Sequence, residues 1–84
     1  MQKIRPDLDL GQVIQRLRRN QKMTQDQVVA KLQLMGLSTS KSTYAKIETN
    51  RINIKVSELV ALKIIFQVTF EEFFKDLHLE FNEI

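Results

Sequence analysis

Cysteine is missing altogether, which excludes a disulfide framework and thiolate zinc sites and fits a reducing compartment. Proline and glycine are nearly absent, with Pro6 near the start and Gly11 and Gly36 further in. So few breakers, and no long alternating stretch before residue 76, predict an all-helical domain. No apolar run approaches the roughly 20 residues a membrane span needs. Residues 1–10 carry charges but no apolar core segment, so no signal peptide is expected, and a cytoplasmic protein without membrane partners is the default. The single histidine, His78, stands alone, and there is neither a glycine-rich phosphate loop nor a clustered set of carboxylates. An enzyme, a metal site or a bound cofactor is therefore not expected.

What is present is charge, unevenly placed. Residues 1–55 hold eleven Lys/Arg against four Asp/Glu, a net of +7, whereas residues 56–84 hold two against six, a net of −4. A basic front and an acidic rear suit a protein that docks one face on a polyanion, although ordinary solvated charge on a small helical domain gives the same pattern. Eighty-four residues make one domain with a modest core and a stability of a few kcal/mol.

Periodicity and capping residues divide the chain into five helices. The first starts after Asp7 or Asp9, runs to about Asn20 and buries Leu10, Val13, Ile14 and Leu17, with Arg16 and Arg19 outside. Gly11 in its first turn hints at close backbone contact. The second follows the cap Thr24, buries Val28, Val29, Leu32 and Met35, and stops at Gly36 in a left-handed conformation. Residues 37–40 read as a polar turn, with Ser40 capping a third helix over 41–49 that ends at a left-handed Asn50. In that helix Tyr44 and Ile47 face the core, Tyr44 with its hydroxyl at the edge, and Lys41, Ser42, Ala45 and Lys46 face outward. Residues 51–55 form a connection without strong periodicity. A fourth helix over 56–66 offers Leu59, Leu62, Ile65 and Phe66 to the core, and Thr69 with Glu72 forms a capping box for a short fifth helix carrying Phe73 and Phe74. Residues 76–82 alternate apolar and polar, the strand period. The tail reads equally as a strand pairing with a second subunit and as a frayed or helical end.

Taken in order, Leu10-Gly11-x-x-Ile14-x-x-Leu17-Arg18, Met23-Thr24-Gln25, Ser42-Thr43-x-x-x-Ile47-Glu48, Glu58-Leu59-x-Ala61-Leu62 and Val68-Thr69-x-Glu71-Glu72-Phe73-Phe74 resemble the Cro/repressor-type (XRE) helix-turn-helix family. The resemblance implies an all-α, compact five-helix, lambda-repressor-like domain over residues 10–75. An N-terminal arm (1–9) precedes it, and an extended tail (76–84) follows as a possible dimerisation strand or protein contact. It also implies an ion pair between Arg18 and Glu48 that links the first helix to the end of the third. Two departures stand out. Gln33-Leu34-Met35-Gly36-Leu37 is an excess over the shortest members, implying a longer second helix and a wider turn, and Gln67 replaces a frequent glycine, implying a less sharp break between helices four and five.

Helix-turn-helix proteins read the major groove of double-stranded DNA with the second helix of the motif. Carried over position by position, the resemblance implies base reading by Lys41, Ser42, Ala45 and Lys46. Lysine can donate to guanine, serine can serve several bases, and alanine can rest on a thymine methyl. Phosphate contacts fall to Gln25, Thr43, Thr49, Asn50 and Arg51. The implied function is a DNA-binding transcriptional regulator, a repressor and homodimer by expectation. A DNA-binding antitoxin, or an interaction module that has kept the fold and lost DNA binding, fits the same residues.

Overall fold

The computed structural model describes the backbone at residues 3–4 and the whole of residues 9–75. Five helices follow in order: α1 (Leu10–Asn20), α2 (Gln25–Leu34), α3 (Lys41–Glu48), α4 (Val56–Ile65) and α5 (Phe70–Phe74). Four of the five starts have a side-chain cap. Asp9, Thr24, Ser40 and Thr69 each accept, through a side-chain oxygen, the amide of the residue three positions on, satisfying a donor the helix itself leaves open. Thr24 and Gln27 complete a reciprocal capping box at α2, Gln27 Oε1 accepting from the Thr24 amide at 2.8 Å. Asp7, the other candidate cap of the first helix, lies outside the described residues, as do the tail and His78.

The helix ends share one device. In α1, α2, α3 and α4 a left-handed residue (Lys22, Gly36, Asn50 and Gln67) folds the chain back so that its amide and the next one close onto the last turn. Gln67 takes φ 57° despite its side chain, so the break before α5 is as sharp as a glycine would make it, against expectation. The residue after the left-handed one is Met23, Leu37 and Val68 in three cases, each packed against the core. In the fourth it is Arg51, which is exposed.

The core is continuous, with Ile14, Val28, Leu32, Tyr44, Ile54, Leu62, Phe66 and Phe73 fully enclosed. Helix α3 packs against α1 and α2, α4 against α2, and α5 against α1. Three expectations need correction. Met35 is not core, because α2 ends at Leu34 and the turn through Gly36 leaves Met35 in solvent while Leu37 takes the inward place. Thr39 is not loop surface but buried, its hydroxyl bonded to Glu58. The hydroxyl of Tyr44 is not at the edge but enclosed with its ring.

The connection after α3 also has more structure than expected. Its two strand residues form β2 (Ile54–Lys55), antiparallel to β1 (Lys3–Ile4), with Lys3 opposite Lys55 and Ile4 opposite Ile54. The alternation Ile52, Ile54, Val56 against Asn53 and Lys55 is the period-two signal for it. This pairing anchors part of the N-terminal arm beside the loop that leaves α3, in an otherwise all-helical domain.

Candidate nucleic-acid interface

The inner side of α3 is fixed first. Glu48, at the last turn, is almost wholly buried and receives Arg18 in a two-pronged contact, Nε to Oε2 at 2.7 Å and Nη2 to Oε1 at 3.2 Å. The remaining arginine arm donates Nη1 to the Met23 carbonyl at 2.9 Å, and Gln25 donates Nε2 to Glu48 Oε1 at 2.9 Å. One carboxylate thus joins α1, α2 and α3. Burial by itself would raise the Glu48 carboxyl, but the hydrogen bonds from Arg18 and Gln25, with the Tyr44 hydroxyl nearby, outweigh it and hold the group below its usual range. The Glu48 hydrogen bond likewise raises Arg18. Burial, then Glu48, pushes the Tyr44 phenol up and keeps it neutral. That hydroxyl lies against the pair, close enough to favour the charged carboxylate, yet completes no well-formed bond among the described residues.

Gly11 is the second fixture. A Cβ there would run into the carbonyl group of Glu48, with the carbonyl carbon at 2.7 Å and the Ile47 oxygen at 2.8 Å, all backbone atoms. The absent side chain lets α1 touch the end of α3 directly. Asn50, left-handed just beyond α3, accepts the Gly11 amide on Oδ1 at 2.8 Å and donates Nδ2 to Asp9 at 2.9 Å.

The outer side of α3 differs. Ser42, Ala45, Lys46, Thr49 and Arg51 line one open surface depression of about 250 Å³. Ser42, Lys46 and Arg51 are exposed, and neither Lys46 nor Arg51 forms an ion pair with a described residue. Lys41 is also exposed but sits 3.0 Å from Asp26 on α2, a solvated pair worth little and easily broken by a competing anion. So the four residues expected to read bases share the free face, with Ala45 half-buried between the others.

The phosphate set divides. Arg51 is presented as expected. Gln25 is turned inward, one amide hydrogen committed to Glu48 and the other left for an external acceptor. The Thr49 hydroxyl donates back to the Ala45 and Lys46 carbonyls at 3.3 and 3.2 Å, so its proton is engaged inside the helix. Asn50 turns both ends of its amide onto Gly11 and Asp9, which gives it a structural duty as well. Thr43 is half-buried, accepts from the Ser40 hydroxyl, and lines a separate groove with Arg51, Ile52, Asn53, Lys55 and Glu58, about 580 Å³. Asn53 and Lys55 are the cleft residues sequence reasoning missed. Among the described residues no group of His, Asp or Glu has the makings of a metal site, and no helix is long and apolar enough to cross a membrane.

In comparison with known proteins, a family model described as helix-turn-helix matches residues 14–73. No similar curated protein and no similar solved structure was found.

Proposed function

Because the chain belongs to the Cro/repressor-type helix-turn-helix family of DNA-binding transcription regulators, we propose that it binds a specific duplex sequence by laying the outer face of α3 in the major groove. Lys46, Ser42 and Lys41 would meet base edges there, Ala45 would lie against a thymine methyl, and Arg51 would hold a phosphate at the helix end. Gln25 at the start of α2 would add a second phosphate contact, favoured by the positive end of that helix.

The observation that carries this reading is the contrast across α3. Its inner residues are tied to α1 and α2, while Ser42, Lys46 and Arg51 are exposed together around one depression. At α3 alone, the position after the left-handed turn holds a solvent-facing cation where the other helices place an apolar anchor. A basic outer face also suits a backbone-dominated encounter with DNA.

We read the protein as a repressor acting as a homodimer on an inverted repeat, with the two α3 helices roughly 34 Å apart on one face of the duplex. Selection of bound duplexes from a random pool with the purified protein tests this. The expected product is a two-fold symmetric site with half-sites about one helical turn apart, bound more weakly as salt rises. Recovery of no preferred duplex would remove the reading, and recovery of a single unrepeated half-site would remove the dimer.

A further inference from the structure

Glu58 and Thr39 are two of the three buried polar or charged side chains among the described residues, and neither belongs to the outer face of α3. Glu58 lies in the first turn of α4, where the helix dipole favours a negative charge. One carboxylate oxygen, Oε1, accepts the backbone amide of Lys55 at 2.9 Å, and the other, Oε2, accepts the hydroxyl of Thr39. Thr39 directly precedes Ser40, the cap of α3, and Lys55 closes the loop that follows α3. A single buried carboxylate therefore ties together both ends of the segment 39–55, with α3 inside it.

We propose that this Glu58–Thr39 tie is a positioning device that sets the angle at which α3 presents Ser42 and Lys46, and so sets base selectivity. The proposal rests on the DNA-binding reading above. The two ends of α3 are held differently. Its C-terminal end is fixed by Arg18, Gly11 and Asn50. Its N-terminal end follows a six-residue link from α2, residues 35–40, and its other side-chain ties are a long Gln33 Nε2 bond to the Thr39 carbonyl at 3.5 Å, the exposed Ser40 cap and the solvated Lys41–Asp26 pair. Without the Thr39 hydroxyl, the N-terminal turn of α3 is the part free to swing about the fixed C-terminal end. Ser42 sits in that turn, with Lys46 one turn further on.

A buried polar pair adds little net stability over an apolar pair of the same shape, whereas its fixed directions specify one arrangement. Removing one partner alone leaves a buried carboxylate oxygen unpaired, so Thr39→Val is expected to lower the melting temperature too, and selectivity has to be read apart from it.

Thr39→Val keeps the shape and deletes the donor. The readout is the ratio of affinity for the selected duplex to affinity for random duplex, taken well below the melting temperature of each variant. Thr39→Val is expected to lower that ratio on the order of tenfold, the weight of one well-aligned base contact, with random-duplex affinity unchanged. Amide exchange at Thr43 and Tyr44 in the free protein should quicken, and Thr39→Ser, which restores the hydroxyl, should recover both. If Thr39→Val does not fold, Thr39→Ala is read the same way, since it also removes the donor and leaves the Lys55 amide on Glu58 Oε1. A selectivity ratio within twofold of the wild type overturns the proposal and leaves DNA binding intact. A wild-type protein without preference among duplexes overturns the DNA reading and the proposal together.

Discussion

The two sides of α3 obey opposite rules. On the inner side Tyr44, Ile47 and Glu48 are buried, and the Glu48 carboxylate is occupied by side chains from two other helices. On the outer side Ser42, Lys46 and Arg51 stand in solvent around a depression. Stability should thus depend on the first group and recognition on the second. A helix that must approach a phosphate-lined groove gains from this division. The inner ties fix its direction before binding, so cations on the outside meet the duplex without the cost of ordering their own backbone.

The largest expected effect breaks the inner side. Arg18→Ala leaves the buried Glu48 charge without its main partner and should cost about 3–5 kcal/mol, measured by denaturant unfolding. For a domain of this size the whole stability is of that order, so the variant should be largely unfolded at ambient temperature. The same pair sets an acid limit. Glu48 is held below its ordinary value of 4.5, so its contribution is fully present above that pH and is lost as pH falls through the lowered folded value. Acid titration of stability should show that loss, and a variant that still folds without the pair should lack it.

Gly11→Ala should come next, at about 1–3 kcal/mol, because the added methyl meets backbone atoms of Ile47 and Glu48 that cannot turn aside. Melting temperature should fall by about 4–8 °C per kcal/mol. An unchanged melting temperature would mean that α1 and α3 are not in direct backbone contact. Arg51→Ala sharpens the contrast from the other side. Stability should stay within about 0.5 kcal/mol, while affinity drops by a similar factor on every duplex and the salt slope falls by about one.

Much of this architecture was legible in the residues. The 3.6 period exposed the stripe of α1, and Thr24, Ser40 and Thr69 announced helix starts because a short hydroxyl before an apolar run has few other uses. Gly36 and Asn50 marked left-handed stops, but Lys22 and Gln67 did not, since lysine and glutamine take that conformation only when the surrounding turn imposes it. The free face of α3 followed from the inward spacing of Tyr44 and Ile47. The Arg18–Glu48 pair was legible only through family resemblance, as nothing local links residues 30 apart. Thr39 gave no signal, because a threonine in a polar stretch reads as surface, and Glu58, although part of the family pattern, reads locally as a solvent-facing glutamate in a first helical turn. Asn50 was placed correctly in the backbone, yet the destination of its side chain depends on where Asp9 and Gly11 arrive in three dimensions.

Lys46→Ala tests the division most directly, measured against the selected duplex and a panel carrying every single-base change. Affinity for the selected duplex should fall by about 1–3 kcal/mol, preference should relax at one or two base pairs only, and the melting temperature should not move. A uniform loss across the panel, equal to that of Arg51→Ala, would show that the outer face of α3 touches only backbone and would contradict the account.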